Sequence, residues 1–168
     1  MNDPLSFDPI AEGARQWREH WGAKTAPSMR AVTSIMRAQQ ILLARLNTAL
    51  EPTSLTFPRY EALMLVFYSR RGSLPLGKIG DRLQVHRTSV TNLIDGLESL
   101  GYVTRRAHPT DRRTTLAEIT ADGRNAARSA TEALNALEFG TTPLRRSELD
   151  TLSDILERLR VDAGDFVR

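Results

Sequence analysis

The stretch IGDRLQVHRTSVTNLIDGLESLGYVTRRAHPTDRR, residues 79–113, decides the fold. Its apolar set is Ile79, Leu83, Val85, Val90, Leu93, Ile94 and Leu97, spaced as the inner faces of two helices. The first is expected over about Leu76 to Leu83. A turn at Gln84-Val85-His86 leads to a second helix from Arg87 to Leu100, with Gly101 as its C-terminal cap. Gly80 and Val90 fall where the two helices must approach closely. Beyond them, Tyr102 to Ala107 and Arg113 to Ile119 are rich in Thr, Val and Tyr, with His108-Pro109-Thr110-Asp111 between. That pattern predicts a β-hairpin with a basic tip. Two helices joined by a three-residue turn and followed by a hairpin make a winged helix-turn-helix.

Outward from this stretch the chain reads as helical. Thr56 caps a helix with Pro58 in its first turn, and the run Leu63-Met64-Leu65-Val66-Phe67 makes it a central buried helix ending at Arg70-Arg71-Gly72. Upstream, Asp8-Pro9 opens a short helix that ends near Gly22. Pro27-Ser28 starts a longer one carrying Met29, Val32, Met36, Leu43, Leu46 and Leu50, stopped by Pro52. Downstream, Thr120 caps a helix to about Phe139. Ser147 and Asp150 resemble a capping box for a last helix with Leu149, Leu152, Leu156 and Leu159. The fold class is therefore mainly α: a winged helix-turn-helix core over 55–120, N-terminal helices over 1–54 and C-terminal helices over 121–168. A winged core of this size cannot cover the apolar stripes of both terminal regions. A second copy of the chain can, so a homodimer held by those helices is expected, with intramolecular packing of the same stripes as the alternative.

Composition excludes several classes. The chain has 168 residues and no cysteine, which removes disulfides and thiolate metal sites. The longest apolar run, Ala62 to Tyr68, is far shorter than the roughly 20 residues of a membrane span. The first ten residues lack the basic and apolar stretches of a secretory leader, so a cytoplasmic location without a membrane partner is expected. Charge is unevenly spread: residues 55–120 carry ten basic and six acidic groups, whereas residues 121–168 carry seven and nine. Of 23 basic residues, 21 are Arg, the side chain suited to phosphates and base edges.

The outer face of the second helix offers Arg87, Thr88, Ser89, Thr91, Asn92 and Asp95. Short polar side chains at the start of an exposed helix can enter a major groove and reach base edges. The same residues also suit a plain solvated face, and the basic hairpin that follows favours the first reading.

The region Leu55 to Thr120 resembles the MarR (multiple antibiotic resistance regulator) family of transcription factors. The resemblance rests on Leu55-Thr56, on Ile79 to Leu83, on Arg87 to Thr91, on Ile94 to Glu98, on Leu100 to Val103, on the wing Arg105 to Arg113, and on Ile119-Thr120-Ala121-Asp122-Gly123. It implies a homodimeric, ligand-responsive regulator, usually a repressor, on a pseudo-palindromic operator of double-stranded DNA. Arg87, Thr88, Ser89, Thr91 and Asn92 would read the major groove. Arg112 and Arg113 would enter the adjacent minor groove, and Arg105 and Arg106 would meet phosphates. Asp111 would fix the wing turn. In a second arrangement Arg113 pairs with Asp95 or Asp111 and holds the wing in place instead. An adaptor that uses the scaffold without DNA is the alternative. The intact polar face and the basic middle segment argue against it.

The resemblance also implies a small-molecule effector. By position, Met36, Arg37, Gln40, Arg59, Tyr60 and Met64 are candidate pocket residues. Trp17, His20 and Trp21 form an aromatic patch that suits either a lid over an aromatic acid or aromatic acyl-thioester, or packing on a partner subunit.

Other signals fail on chemistry. Gly72 to Lys78 fits seven positions of a phosphate-binding loop, but Ile79 stands where the magnesium-binding hydroxyl belongs. Lys78 is left to meet a DNA phosphate or solvent. His20, His86 and His108 have no metal-ligand spacing, and no hydrolase motif joins Ser, His and Asp. Neither a metal, a cofactor nor an enzymatic activity is expected.

Overall fold

The computed structural model describes residues 4–111 and 113–167. Its helices are α1 (Pro9–Trp21), α2 (Ala26–Leu50), α3 (Phe57–Phe67), α4 (Leu76–Leu83), α5 (Arg87–Ser99), α6 (Ala121–Ala136) and α7 (Arg146–Asp162). Its strands are β1 (Ser73–Pro75), β2 (Val103–Ala107) and β3 (Thr115–Ile119). No helix among the described residues is long and apolar enough to cross a membrane. The chain divides into two compact units, residues 1–48 and 49–168.

In the first unit, Asp8 accepts the Ile10 N–H at 2.9 Å and Gly22 ends α1 with φ +89°. Arg15 bridges Glu12 and Glu19 along the outer face, and the Glu12 carboxyl is held down at about 2, chiefly by its bond to Arg15. Trp17 Nε1 donates to Thr25 Oγ1 at 3.0 Å, which ties α1 to the residue just before α2. On α2, Val32, Ile35, Met36 and Ile41 remain exposed.

The second unit has a closed core. Leu63 and Val66 of α3, Ile79 of α4, Ile94 and Leu97 of α5 and Leu134 of α6 are fully buried. The sheet has the order β1-β3-β2 and is antiparallel throughout, with Leu74 opposite Ala117 and Val103 opposite Ile119. Thr120 caps α6 by accepting the Gly123 N–H at 2.9 Å. Gly123 has no room for a side chain: a Cβ there would lie 2.0 Å from the Tyr102 carbonyl oxygen.

Four features depart from the sequence expectation. Helix α3 ends at Phe67 rather than at Arg70, and the freed residues lead into β1. That strand lies between the two expected helices, where the sequence reading assigns no element, because three residues ending in Pro carry no alternation to detect. Helix α6 stops at Ala136, where Glu138 and Phe139 take positive φ and turn the chain. Helix α7 begins at Arg146, capped by Glu148 accepting the Arg145 N–H at 2.8 Å, and not by the Ser147–Asp150 pair.

Candidate nucleic-acid interface

The turn between α4 and α5 positions the site. Gln84 takes the left-handed conformation, φ +53°, that Gly often supplies, and the Val85 N–H closes the turn on the Gly80 carbonyl at 3.2 Å. A Cβ on Gly80 would lie 3.2 Å from Val90 Cγ2, so the close approach read from the sequence is present. His86 caps α5: its Nδ1 accepts the Thr88 N–H at 3.3 Å. Val90, Ile94, Gly96 and Leu97 then turn inward, and Arg87, Thr88, Ser89, Thr91, Asn92 and Asp95 are left exposed.

The wing is built around Asp111. One carboxylate oxygen accepts the Arg113 N–H at 3.0 Å and the other accepts the Thr114 hydroxyl at 2.6 Å. These bonds, the Thr114 hydroxyl first, hold the Asp111 carboxyl below the usual carboxylate range. His108 Nδ1 accepts the Asp111 N–H at 3.2 Å, closing the same turn from the other side. The Arg113 side chain is exposed and makes no ion pair among the described residues. Arg112 lies outside the described residues. A cavity of about 1160 Å³ separates wing and helices, with Lys78, Asp81, Arg87, Thr91, Asp95, Arg105 and Arg113 on its walls.

Two arginines expected at phosphates form ion pairs with acids of their own chain. Arg105 pairs with both Asp95 and Glu98 of α5, and Arg106 pairs with Glu118 of β3. Burial works against the Arg105 charge, but the bonds to the two carboxylates outweigh it and raise the guanidinium. Asp95 thus serves Arg105 and not Arg113. Sequence reasoning misses Glu98 as a partner; its signal is the i, i+3 pair of acids with Asp95, Glu98 standing seven residues before Arg105.

The residues read as effector contacts fall in both units. In the first, Trp17 and Trp21 lie 6.4 Å apart between ring centres, His20 Nδ1 bonds the Gln16 carbonyl at 2.9 Å, Arg37 donates to Gln40 at 3.2 Å, and Met36 is exposed. In the second, Tyr60 and Met64 are buried and converge on the Thr131 hydroxyl of α6. Arg59 lies over Gly96, where a Cβ would come within 2.3 Å of its Nε. Among the described residues there is no cluster of His, Asp and Glu able to hold a metal ion.

The MarR family profile matches residues 55–115. The chain is 48% identical to Sco5413, a MarR family transcriptional regulator from Streptomyces coelicolor, with a TM-score of 0.77 over 84% of this chain and 99% of that one. The chain belongs to the MarR family. It is accordingly a DNA-binding transcriptional regulator rather than an enzyme. Two further MarR-type proteins are similar to the chain. The transcriptional regulator MhqR of Bacillus subtilis is 26% identical over 84% of this chain and 97% of its own. A cysteine-to-serine mutant of MarR from E. coli, solved with operator DNA, shares the fold with a TM-score of 0.71 at 20% identity, over 81% of this chain and 97% of that one.

Proposed function

We propose that the chain is a repressor that binds a pseudo-palindromic operator as a homodimer and is released by a small effector. One observation carries the DNA reading: Arg87 and Thr91 on the exposed polar face of α5 and the wing residue Arg113, without an ion pair among the described residues, line the same cavity. Arg87, Thr88, Ser89, Thr91 and Asn92 then read base edges in the major groove, and Arg113, with Arg112, enters the neighbouring minor groove. Asp111, Asp95 and Arg105 hold the wing in the reading position, and Arg106 lies beside the phosphates. The homodimer is supported by the uncovered apolar residues of α2 and α7.

The effector of this proposal is an aromatic acid or aromatic acyl-thioester. Trp17, His20, Trp21, Met36, Arg37, Gln40, Arg59, Tyr60 and Met64 are its candidate contacts. It acts by binding the DNA-free conformation better than the DNA-bound one, since a ligand shifts an equilibrium only by its differential affinity.

The test is selection of random duplex DNA by the purified protein, followed by salt titration of the enriched sequence. The expected product is an inverted repeat with half-sites about one helical turn apart. Arg113→Ala should weaken binding about tenfold and flatten the salt slope by about one unit while the dimer persists. Unchanged affinity with an unchanged slope would refute the wing assignment.

A further inference from the structure

The wing has two sides, and the more basic cleft lies on the side away from α5. This second cleft, of about 830 Å³, sits between the α3–β1 turn, α4 and the wing tip. Arg70, Arg71, Lys78 and Arg82 line it together with Tyr68 and His108, and no acidic residue does. Those four cations are exposed and none makes an ion pair among the described residues. The recognition cavity differs: it includes Asp81 and Asp95 among its walls, and its Arg105 is already neutralised. Lys78 and His108 line both cavities, so one basic surface continues around the root of the wing.

We infer that this second cleft binds the phosphate backbone of duplex DNA flanking the operator, beyond the groove that receives the wing. The inference rests on the DNA-binding reading above. A duplex with the wing in its minor groove has backbone on both sides of the hairpin. The strand on the far side meets four uncompensated cations and the Tyr68 hydroxyl. Such contacts are sequence-independent, so they lengthen the footprint without adding specificity. They also favour bending of the flank towards the protein.

The experiment compares wild type with Arg70→Ala/Arg71→Ala and, separately, with Arg82→Ala. All three positions are exposed, and unchanged thermal melting will verify the fold. The probes are the selected inverted repeat trimmed to its ends, the same repeat with about ten base pairs added on each side, and an arbitrary duplex of the longer length. Wild type should bind the extended repeat about tenfold more tightly than the trimmed one, with a steeper salt slope by about two or more units. Each variant should lose most of that advantage while keeping its affinity for the trimmed repeat, and should show a flatter slope on the arbitrary duplex. No length dependence in wild type, or equal losses on both repeats, overturns the inference while leaving the operator reading intact. Failure of wild type to bind any of these duplexes overturns both.

Discussion

Ile79, Ile94 and Leu97 of the winged helix-turn-helix are fully buried, whereas Ile155 and Leu159 of α7 leave 50% and 56% of their surface in water. All five sit on helical stripes of similar sequence character. The first set closes on β-strands and neighbouring helices of its own chain. The second stays about half exposed, and α7 contains no buried residue. With about half its surface still in water, each of these two side chains forgoes roughly half of the ~1.5–3 kcal/mol that full burial is worth. Hydrophobic periodicity therefore identifies which face of a helix seeks cover, and not which molecule supplies it.

The sharpest way to test the closed side of that comparison is Gly123→Ala. The new methyl would collide with the Tyr102 carbonyl, a backbone atom that cannot swing aside. A loss of about 3 kcal/mol in urea unfolding is expected. A loss below about 1 kcal/mol would mean that the α6 start and the wing base are not rigidly packed. The open side is tested by Ile155→Glu. The melting temperature extrapolated to low protein concentration should be unchanged, while dimer affinity falls about thirtyfold, or ~2 kcal/mol. Sedimentation at several concentrations reads this directly, and an unaltered dimer would place the subunit contact elsewhere.

The smallest effect is expected at the wing turn. The Asp111 carboxyl titrates lower in the fold than its unfolded value of about 3.9. Its contribution is therefore complete above that value and disappears as pH falls through the lower folded value. The amide signals of Arg113 and Thr114 should shift in that acid window in wild type. In Asp111→Asn the window should vanish, with duplex affinity reduced about threefold at neutral pH as the turn loosens. An acid transition that survives the substitution would assign the turn to other groups.

Much of the reading unit was legible in the sequence because its determinants are local. The α4–α5 turn follows from helical spacing on either side of three residues, and the Gly80–Val90 approach from their separation. The Gln84 conformation shows that the turn geometry prevails even without Gly. Strand β1 was not legible, since only its pairing with the distant β3 makes it a strand. The Arg105 partners were hidden for a related reason. Asp95 and Glu98 reach the strand only after α5 and β2 have folded against each other. The α7 start differs from the expectation because the pairs Arg145–Glu148 and Ser147–Asp150 offer competing caps two residues apart, and the longer Glu148 side chain reaches the backbone.

The bridge from Arg105 to Asp95 and Glu98 ties α5 to the wing like the two arms of a caliper. In the proposed DNA complex one arm would enter the major groove and the other the minor groove beside it. Tied in this way, α5 and the wing would leave the duplex of the proposed complex together. In the proposed homodimer, release then comes from altering the distance between two such calipers, by a fraction of the ~34 Å that separates successive turns of DNA.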